Sequence, residues 1–139
     1  MSAAGTPDAA SGTVTKLAPR PVPEIVEQLT AMVTDKGMKV FAVIDQRREA
    51  EQAGLELRET TLVLFGNPAG GTPVMESAPL SALDLPLKIL VWDDRGQTKV
   101  SYTDPATLAD RYGLSDDLTR RLVGIRALAD ALAGSPAGP

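Results

Sequence analysis

The chain has 139 residues, of which 43% are apolar and 23% charged, and its formal net charge is −4. This size and composition are typical of one globular domain, and the acidic balance argues against a nucleic-acid-binding protein, which needs concentrated Lys and Arg. The sequence contains no Cys and no His. Disulfides, thiolate chemistry and the commonest general base are therefore excluded, so any reaction would depend on Asp, Glu, Lys, Tyr, Ser or Thr.

Both ends of the chain have a composition that predicts disorder. Residues 1–12 and 134–139 are mainly Ala, Ser, Gly, Pro and Thr, with too little apolar surface to offset the entropy lost on ordering. We therefore expect a single domain over residues 13–133. No window reaches the ~20 apolar residues that span a membrane, and the N-terminus lacks a signal-peptide pattern, so we expect a cytoplasmic protein that does not enter a membrane.

The first half of the domain predicts alternating strands and helices. A short strand over Thr13–Ala18 precedes a helix that starts at Pro23 and ends at Gly37, with apolar residues at helical spacing. A strand over Met38–Asp45 follows, with Met38, Val40, Ala42 and Ile44 on one face. Asp45 is placed to cap a short helix in which Ala50 and Ala53 would be buried. The next strand, Thr60–Gly66, is apolar on both faces, as in a strand that is covered on both sides.

The second half predicts a hairpin and two helices. The segments PLKILVWDD and TKVSYTD form the hairpin, closed at Asp94, Arg95 and Gly96. Asp104 and Pro105 begin a helix that ends at Gly113, and Ser115 caps a final helix with a long apolar stripe. The hairpin breaks the regular strand–helix alternation, so the sequence predicts an α+β fold with a mixed or largely antiparallel sheet and helices mainly on one face.

The segment between the third strand and the hairpin, Phe65–Lys88, combines glycines and prolines with recurring Leu, Val and Met. We expect a rigid loop with a helix start at Thr72–Pro73. Free backbone N–H groups at such a start bind anions, so Asn67, Gly70, Gly71 and Thr72 are candidate ligand-binding residues. The alternative is a tight turn that needs glycine for its conformation alone. No Lys follows the glycines, so this is not a Walker motif.

Three segments carry a resemblance to a known family: KGMKVFAVIDQ, FGNP followed by GTPVM, and LDLPLK with the hairpin that leads to SYTDP. Over about Leu17 to Leu114 the sequence resembles the family called domain of unknown function 302. The resemblance implies a compact α+β domain, a dimer, and no established activity. Members of this family usually carry His after the Ile-Asp of the second strand, whereas this chain has Gln46. An amide does not titrate and is a weak metal ligand, so the position either needs only a hydrogen bond, has lost a chemical step, or has no functional role.

Lys88 is the other polar candidate, because it shares a strand face with Leu90 and Trp92. A Lys among apolar groups can serve as a base, although more often its stem packs and its amine reaches water. Trp92 and Tyr102 are packing residues or line a pocket or a dimer face. The adjacent carboxylates Asp93–Asp94 and Asp116–Asp117 point in different directions, so we assign no metal site.

The sequence leaves three hypotheses open, and none of them identifies a cofactor or a catalytic residue. The first is a dimeric binding domain that holds a small anionic ligand through Asn67, Gly70, Gly71 and Thr72, with Gln46 and Lys88 facing it. The second is an enzyme that uses Lys88 or Asp45 as a base. The third is an interaction module whose apolar second sheet face binds a copy of itself or another protein.

Overall fold

A computed structural model describes residues 12–134. Its strands are β1 Thr13–Ala18, β2 Lys39–Asp45, β3 Thr60–Gly66, β4 Leu87–Asp94 and β5 Gln97–Thr103. Its helices are α1 Val22–Asp35, α2 Gln46–Gln52, α3 Pro68–Ser77, α4 Pro105–Tyr112, α5 Asp116–Arg120 and α6 Gly124–Leu132, with a 3₁₀ turn at Pro79–Leu83. The predicted tails lie almost wholly outside this range.

The strands form one five-stranded sheet in the order β1-β5-β4-β3-β2, and every neighbouring pair is antiparallel. The predicted α+β class is therefore confirmed. The β4–β5 hairpin turns through Arg95 and Gly96, both with positive φ (56° and 93°), as type I′ hairpin turns require. This turn fixes the register that places Trp92 opposite Lys99.

One face of the sheet packs against α1 and α6. The main core joins Ile25, Leu29 and Val33 of α1 with Ile125, Leu128 and Leu132 of α6 and with alternate residues of the strands, among them Val63, Phe65, Ile89, Val91 and Val100. Alternation places these strand residues on the same face. A second, smaller core of Val74, Leu108 and Leu122 joins α3, α4 and the segment before α6.

The opposite face of the sheet carries apolar side chains that belong to neither core. We call it the open face and define it by Ile44, Leu62, Leu64, Leu90 and Trp92. Leu62 pairs with Ile44 on one side and with Leu90 on the other, so the three form a row across the sheet. All five residues are half-buried. The prediction that β3 is covered on both sides is not confirmed, because Leu62 and Leu64 on its second face belong to neither core.

The predicted face pattern of β2 is wrong after Val40. The register between β2 and β3 shifts between Val40 and Ala42, so Val40 pairs with Phe65 but Ala42 pairs with Leu64. A β-bulge of this kind adds one residue to the strand and moves all later side chains to the other face. Ala42 and Ile44 therefore share the open face rather than the face of Val40.

Two helix predictions also need correction. The α2 helix has its predicted cap, because Asp45 accepts a hydrogen bond from the Arg48 N–H (3.0 Å), but neither Ala50 nor Ala53 is fully buried. The final helix is capped by Ser115 as predicted, but it is divided into α5 and α6 by a turn after Arg120. The apolar stripe predicts the buried side correctly and does not reveal this break.

Two glycines provide a matched test of backbone conformation. Gly113 caps α4 with a φ of 63°, whereas Gly124 at the start of α6 has no positive φ, and a Cβ at either position would meet no atom within 4 Å. We expect Gly113→Ala to destabilise the fold by about 1–2 kcal/mol. Gly124→Ala should stabilise it by about 0.4–1 kcal/mol, because it restricts the unfolded chain. Urea denaturation measures both, and shifts of the same sign would contradict this assignment.

Candidate functional site

The predicted glycine-rich loop is largely helical. Helix α3 begins at Pro68 rather than at Thr72–Pro73, and Asn67 is its N-cap. The Asn67 side chain accepts a hydrogen bond from the Ala69 N–H (3.0 Å). An Asn cap followed by Pro at the first helical position is a standard helix start. The two glycines inside this helix are typical of a loop, so the local pattern does not predict a helix start at Pro68.

The backbone N–H groups at this helix start already have partners. Pro68 has no N–H, the Ala69 N–H is bound by the cap, and the N–H groups of Gly70 and Gly71 both donate to the Asn67 carbonyl oxygen at 2.8 Å. An anion cradle needs N–H groups that are free to turn toward a ligand. In this conformation the first N–H groups of α3 already have hydrogen-bond partners within the protein. They are therefore not free to bind an anion.

Next to this helix start lies an apolar cavity of about 200 Å³. Its walls come from the ends of β2 and β3, from α3, from the segment that leads into β4, and from the α5–α6 junction. The lining residues are Met38, Phe41, Phe65, Gly66, Asn67, Pro68, Gly71, Met75, Leu85, Pro86, Leu87, Arg121, Leu122, Gly124 and Ile125. Pockets for small molecules typically combine mainly apolar walls with a few polar groups.

Three glycines keep this space open. A Cβ on Gly66 would lie 3.8 Å from Pro86, one on Gly71 would lie 4.0 Å from the end of Met75, and one on Gly124 would meet nothing within 4 Å. None of these distances is a clash, so close packing does not force glycine at these positions. The absence of side chains there leaves room in the cavity.

Arg121 is the one charged residue among those that line the cavity, and none of them is acidic. Its backbone lies against α3, since a Cβ on Gly70 would be 3.7 Å from the Arg121 carbonyl oxygen. The side chain is exposed, and within residues 12–134 no ion pair or side-chain hydrogen bond holds it. Sequence reasoning missed Arg121, because it lies far along the chain from the glycines and follows another Arg.

The structure brings together only some of the predicted site residues. Asn67 and Gly71 line the cavity, and Gly70 packs beside it against Arg121. Thr72 is exposed on α3 and is not part of the lining. Gln46 is exposed at the start of α2. Lys39 pairs with Gly66 and Asp45 with Thr61, which lies about 17 Å along β3 from Gly66 at about 3.4 Å per residue, so Gln46 lies farther still from the glycines.

Lys88 also lies apart from the main cavity. Its ammonium group donates to the carbonyl oxygens of Asp84 and Pro86, each at 3.2 Å. It borders a separate cavity of about 60 Å³ with Thr103 and Leu108. These two hydrogen bonds hold the amine at the start of β4, and Lys88 does not line the apolar cavity beside α3.

A polar cluster ties the 3₁₀ turn to α4. One Asp84 carboxylate oxygen accepts hydrogen bonds from the Tyr112 hydroxyl and from the Arg111 guanidinium, the latter at 2.8 Å. The Tyr112 hydrogen bond, supported by Arg111, holds the pKa of Asp84 below its ordinary value despite partial burial. The same contact raises the pKa of Tyr112. This cluster fixes the segment that enters the cavity wall at Leu85.

A second ion pair connects α4 to α6. Asp104 caps α4 through the Ala106 N–H (3.0 Å), and its two oxygens accept from the Arg126 guanidinium at 2.9 and 2.8 Å. The Arg126 hydrogen bonds lower the pKa of Asp104. Bidentate pairs of this kind fix geometry better than single contacts. The pair therefore positions the first turn of α6, which includes the cavity residue Ile125.

Residues 12–134 contain no group of three or more acidic, His or Cys residues that could hold a metal ion. In the same part of the chain, no helix combines the length and the apolar character needed to cross a membrane.

An antiparallel sheet with two helices on one face and a cavity at the end of its third strand defines a small α+β domain. The family model for the domain of unknown function DUF302 matches residues 14–132. The chain therefore belongs to the DUF302 family. The expected family membership is confirmed, and the match extends beyond the predicted region into α6.

Solved structures support the fold. The crystal structure of an uncharacterized conserved DUF302 protein from Bacillus stearothermophilus is similar, with a TM-score of 0.74 and 19% sequence identity. The similarity covers 88% of this chain and 96% of that protein. At this identity the likeness concerns the fold alone.

Curated relatives carry a different name. A protein of Brucella suis called fluoride-specific ion channel FluC 1 is 40% identical over 111 residues, which are 78% of this chain and 44% of that protein. A protein of the same name from Brucella abortus is also 40% identical over 111 residues, there 41% of its length. The chain thus spans less than half of the curated relatives it matches.

The Asp84 cluster predicts a pH-dependent stability. A carboxylate with a depressed folded-state pKa stabilises the fold above its unfolded-state pKa, near 3.8, and loses that contribution as pH falls through the lower folded-state value. We expect Asp84→Asn to lower the melting temperature at pH 7 and to have a progressively smaller effect as the pH falls below 3.8 and the wild-type carboxyl becomes protonated as well. Thermal denaturation monitored by circular dichroism measures this.

Asp110→Asn is the matched control, because Asp110 is exposed on α4 and makes no ion pair within the described chain. It should change the melting temperature little at either pH. An Asp84→Asn effect of the same size at both pH values would contradict the role given to the carboxylate charge.

Proposed function

We propose that this chain is a small-molecule-binding domain whose ligand enters the cavity beside α3. The observation that carries the proposal is an apolar space of about 200 Å³ at the end of β3, kept open by glycines. An apolar cavity of about 150 Å³ is large enough for a benzene ring. This space is suited to a ring or a chain of roughly six carbons.

The expected affinity of a simple apolar probe is low. Burial of one CH₂ group contributes about 0.8 kcal/mol, so six carbons supply about 4–5 kcal/mol and a Kd near 1 mM. The natural ligand needs further contacts for tighter binding, and Asn67 and Arg121 are the residues with polar side chains among those that line the space. The predicted small anionic ligand remains part of the proposal, but the bound N–H groups of α3 make the helix start a poor partner for its charge.

Filling the cavity tests the proposal. We expect Gly71→Leu to weaken 1-hexanol binding at least about tenfold, because the leucine occupies space that the probe needs. The variant should fold at least as stably as the wild type, since Gly inside a helix costs about 0.5–1 kcal/mol relative to Ala. NMR titration with ¹H–¹⁵N spectra measures millimolar affinities and locates the binding residues.

Ala69→Leu is the matched control, because Ala69 is exposed on the same helix and does not line the cavity. It adds the same side chain and should leave hexanol binding unchanged. Equal binding to the wild type and to Gly71→Leu, or no saturable binding to the wild type, would sink the proposal.

A homodimer formed through the open face is the second candidate function. The observation that favours it is the row of Ile44, Leu62 and Leu90, which lies outside both cores. An apolar sheet face gains free energy when a second layer removes it from water. Trp92 is less central to this contact than the sequence indicates, because its N–H donates to the Ser101 hydroxyl (3.0 Å) and Lys99 lies over its ring.

Leu62→Arg tests the dimer. We expect this change to shift the protein from dimer to monomer, because an unpaired cation would be buried in the contact. Analytical ultracentrifugation measures the mass, and circular dichroism shows whether the variant is folded. Leu80→Arg is the control, since Leu80 is 70% exposed on the 3₁₀ turn and does not belong to the open face. A wild-type monomer at about 100 µM, or a dimer that survives Leu62→Arg, would contradict this assembly.

The enzyme hypothesis gains no support from the geometry of its two candidate bases. Lys88 donates to two backbone carbonyls, and Asp45 uses a carboxylate oxygen to cap α2. Neither lines the apolar cavity. The fluoride-channel name of the curated relatives is not extended to this chain, because more than half of each relative lies outside the match. The cytoplasmic location stays a prediction.

A further inference from the structure

The one charged residue that lines the cavity is an arginine, Arg121, whose side chain is exposed. A ligand with an apolar body and an anionic end fits such a site, because the body can fill the cavity while the anion meets the guanidinium. A cationic ligand would find no carboxylate among the lining residues.

Arg121 differs from most other arginines of the described chain in having no partner. Arg111 pairs with Asp84, Arg120 with Asp117 and Arg126 with Asp104. Arg47 and Arg58 also have acidic partners, and Arg20 donates to Gln28. Within residues 12–134, no carboxylate competes with a ligand for the guanidinium of Arg121.

The position of Arg121 is fixed although its side chain is free. Its N–H donates to the Leu118 carbonyl oxygen (3.1 Å), and the next residue, Leu122, is buried in the smaller core. The backbone also lies against Gly70 of α3. The backbone that carries this long cationic side chain is therefore already ordered, so the entropy lost when the guanidinium binds an anion is that of the side chain alone.

The other candidate anion-binding groups are occupied. The first N–H groups of α3 bond to Asn67, and the Lys88 ammonium group is held by two carbonyl oxygens beside a different cavity. We infer that the ligand is an amphipathic carboxylate of roughly six carbons, aliphatic or aromatic, whose anionic end binds Arg121. This inference rests on the proposed ligand-binding function and adds the ligand's chemical class and the residue that selects it.

Matched probes separate the two proposals. Hexanoate, 1-hexanol and hexylamine share one chain and differ in charge, so NMR titration of each into the full chain isolates the contribution of the carboxylate. We expect the wild type to bind hexanoate about threefold to tenfold more tightly than hexanol, the size expected for a partly exposed charged contact. Hexylamine should bind most weakly.

The variant Arg121→Gln should lose the preference for hexanoate and keep its affinity for hexanol. Arg120→Gln is the control, because it removes the same charge from the neighbouring residue, which does not line the cavity. Equal binding of hexanoate and hexanol to the wild type would overturn this inference and leave the binding function intact. A preference that survives in Arg121→Gln would overturn it as well, and a failure of all three probes to bind would overturn both proposals.

Discussion

The packing of α1 and α6 against one face of the sheet is the constraint on which the structure depends. Strand β3 shows it most clearly, since Val63 and Phe65 are fully buried in the main core while Leu62 and Leu64 on the opposite face are only half-buried. Alternation along a strand makes this division unavoidable when helices cover one side. The buried side holds the domain together, and the other side keeps an apolar surface available for a second layer.

The cavity follows from how the chain leaves β3. Gly66 ends the strand, and Asn67 and Pro68 turn the chain directly into α3. The first turn of this helix contains Gly70, which lies against Arg121 at the α5–α6 junction, and Gly71, which lines the cavity. Gly70 brings the α3 backbone close to Arg121, whereas Gly71 and Gly124 leave room between the elements. The α3 backbone thus contacts the α5–α6 junction at Gly70, while space remains beside Gly71 and Gly124. The result is a cavity between these elements.

The sequence predicted the elements that depend on local signals. The caps at Asp45, Asp104 and Ser115 and the hairpin turn at Gly96 are determined by side chains a few residues away, and all were predicted correctly. The start of α3 was missed because glycine inside a helix is locally unfavourable and is tolerated there by packing. The β2 bulge was also missed, since it depends on pairing with β3 and leaves no pattern within the strand itself.

The candidate site was harder to predict than the fold, because its parts meet only in three dimensions. Asn67 and Gly71 belong to a local motif that the sequence shows. Arg121 lies in the turn between α5 and α6 and lines the cavity only because the fold brings that turn next to α3. Gln46 and Lys88 were predicted to face the same ligand as the loop only because their side chains are polar. Gln46 lies at the opposite end of β2 from the loop, and Lys88 is held at the start of β4.

Two ion pairs at α4 support the walls of the cavity. The Asp84 cluster holds the segment that continues into Leu85 and Leu87, and the Asp104–Arg126 pair holds the start of α6. Partly exposed pairs contribute little to global stability. Their stronger effect is positional, because each fixes an element that carries cavity residues while leaving the main core unchanged. The pKa values of Asp84 and Asp104 are both lowered, so both ion pairs remain formed at mildly acidic pH. They weaken only when the carboxylates are protonated. Acid should therefore loosen the cavity walls before it disrupts the sheet and α1, because the buried residues of the main core include no carboxylate.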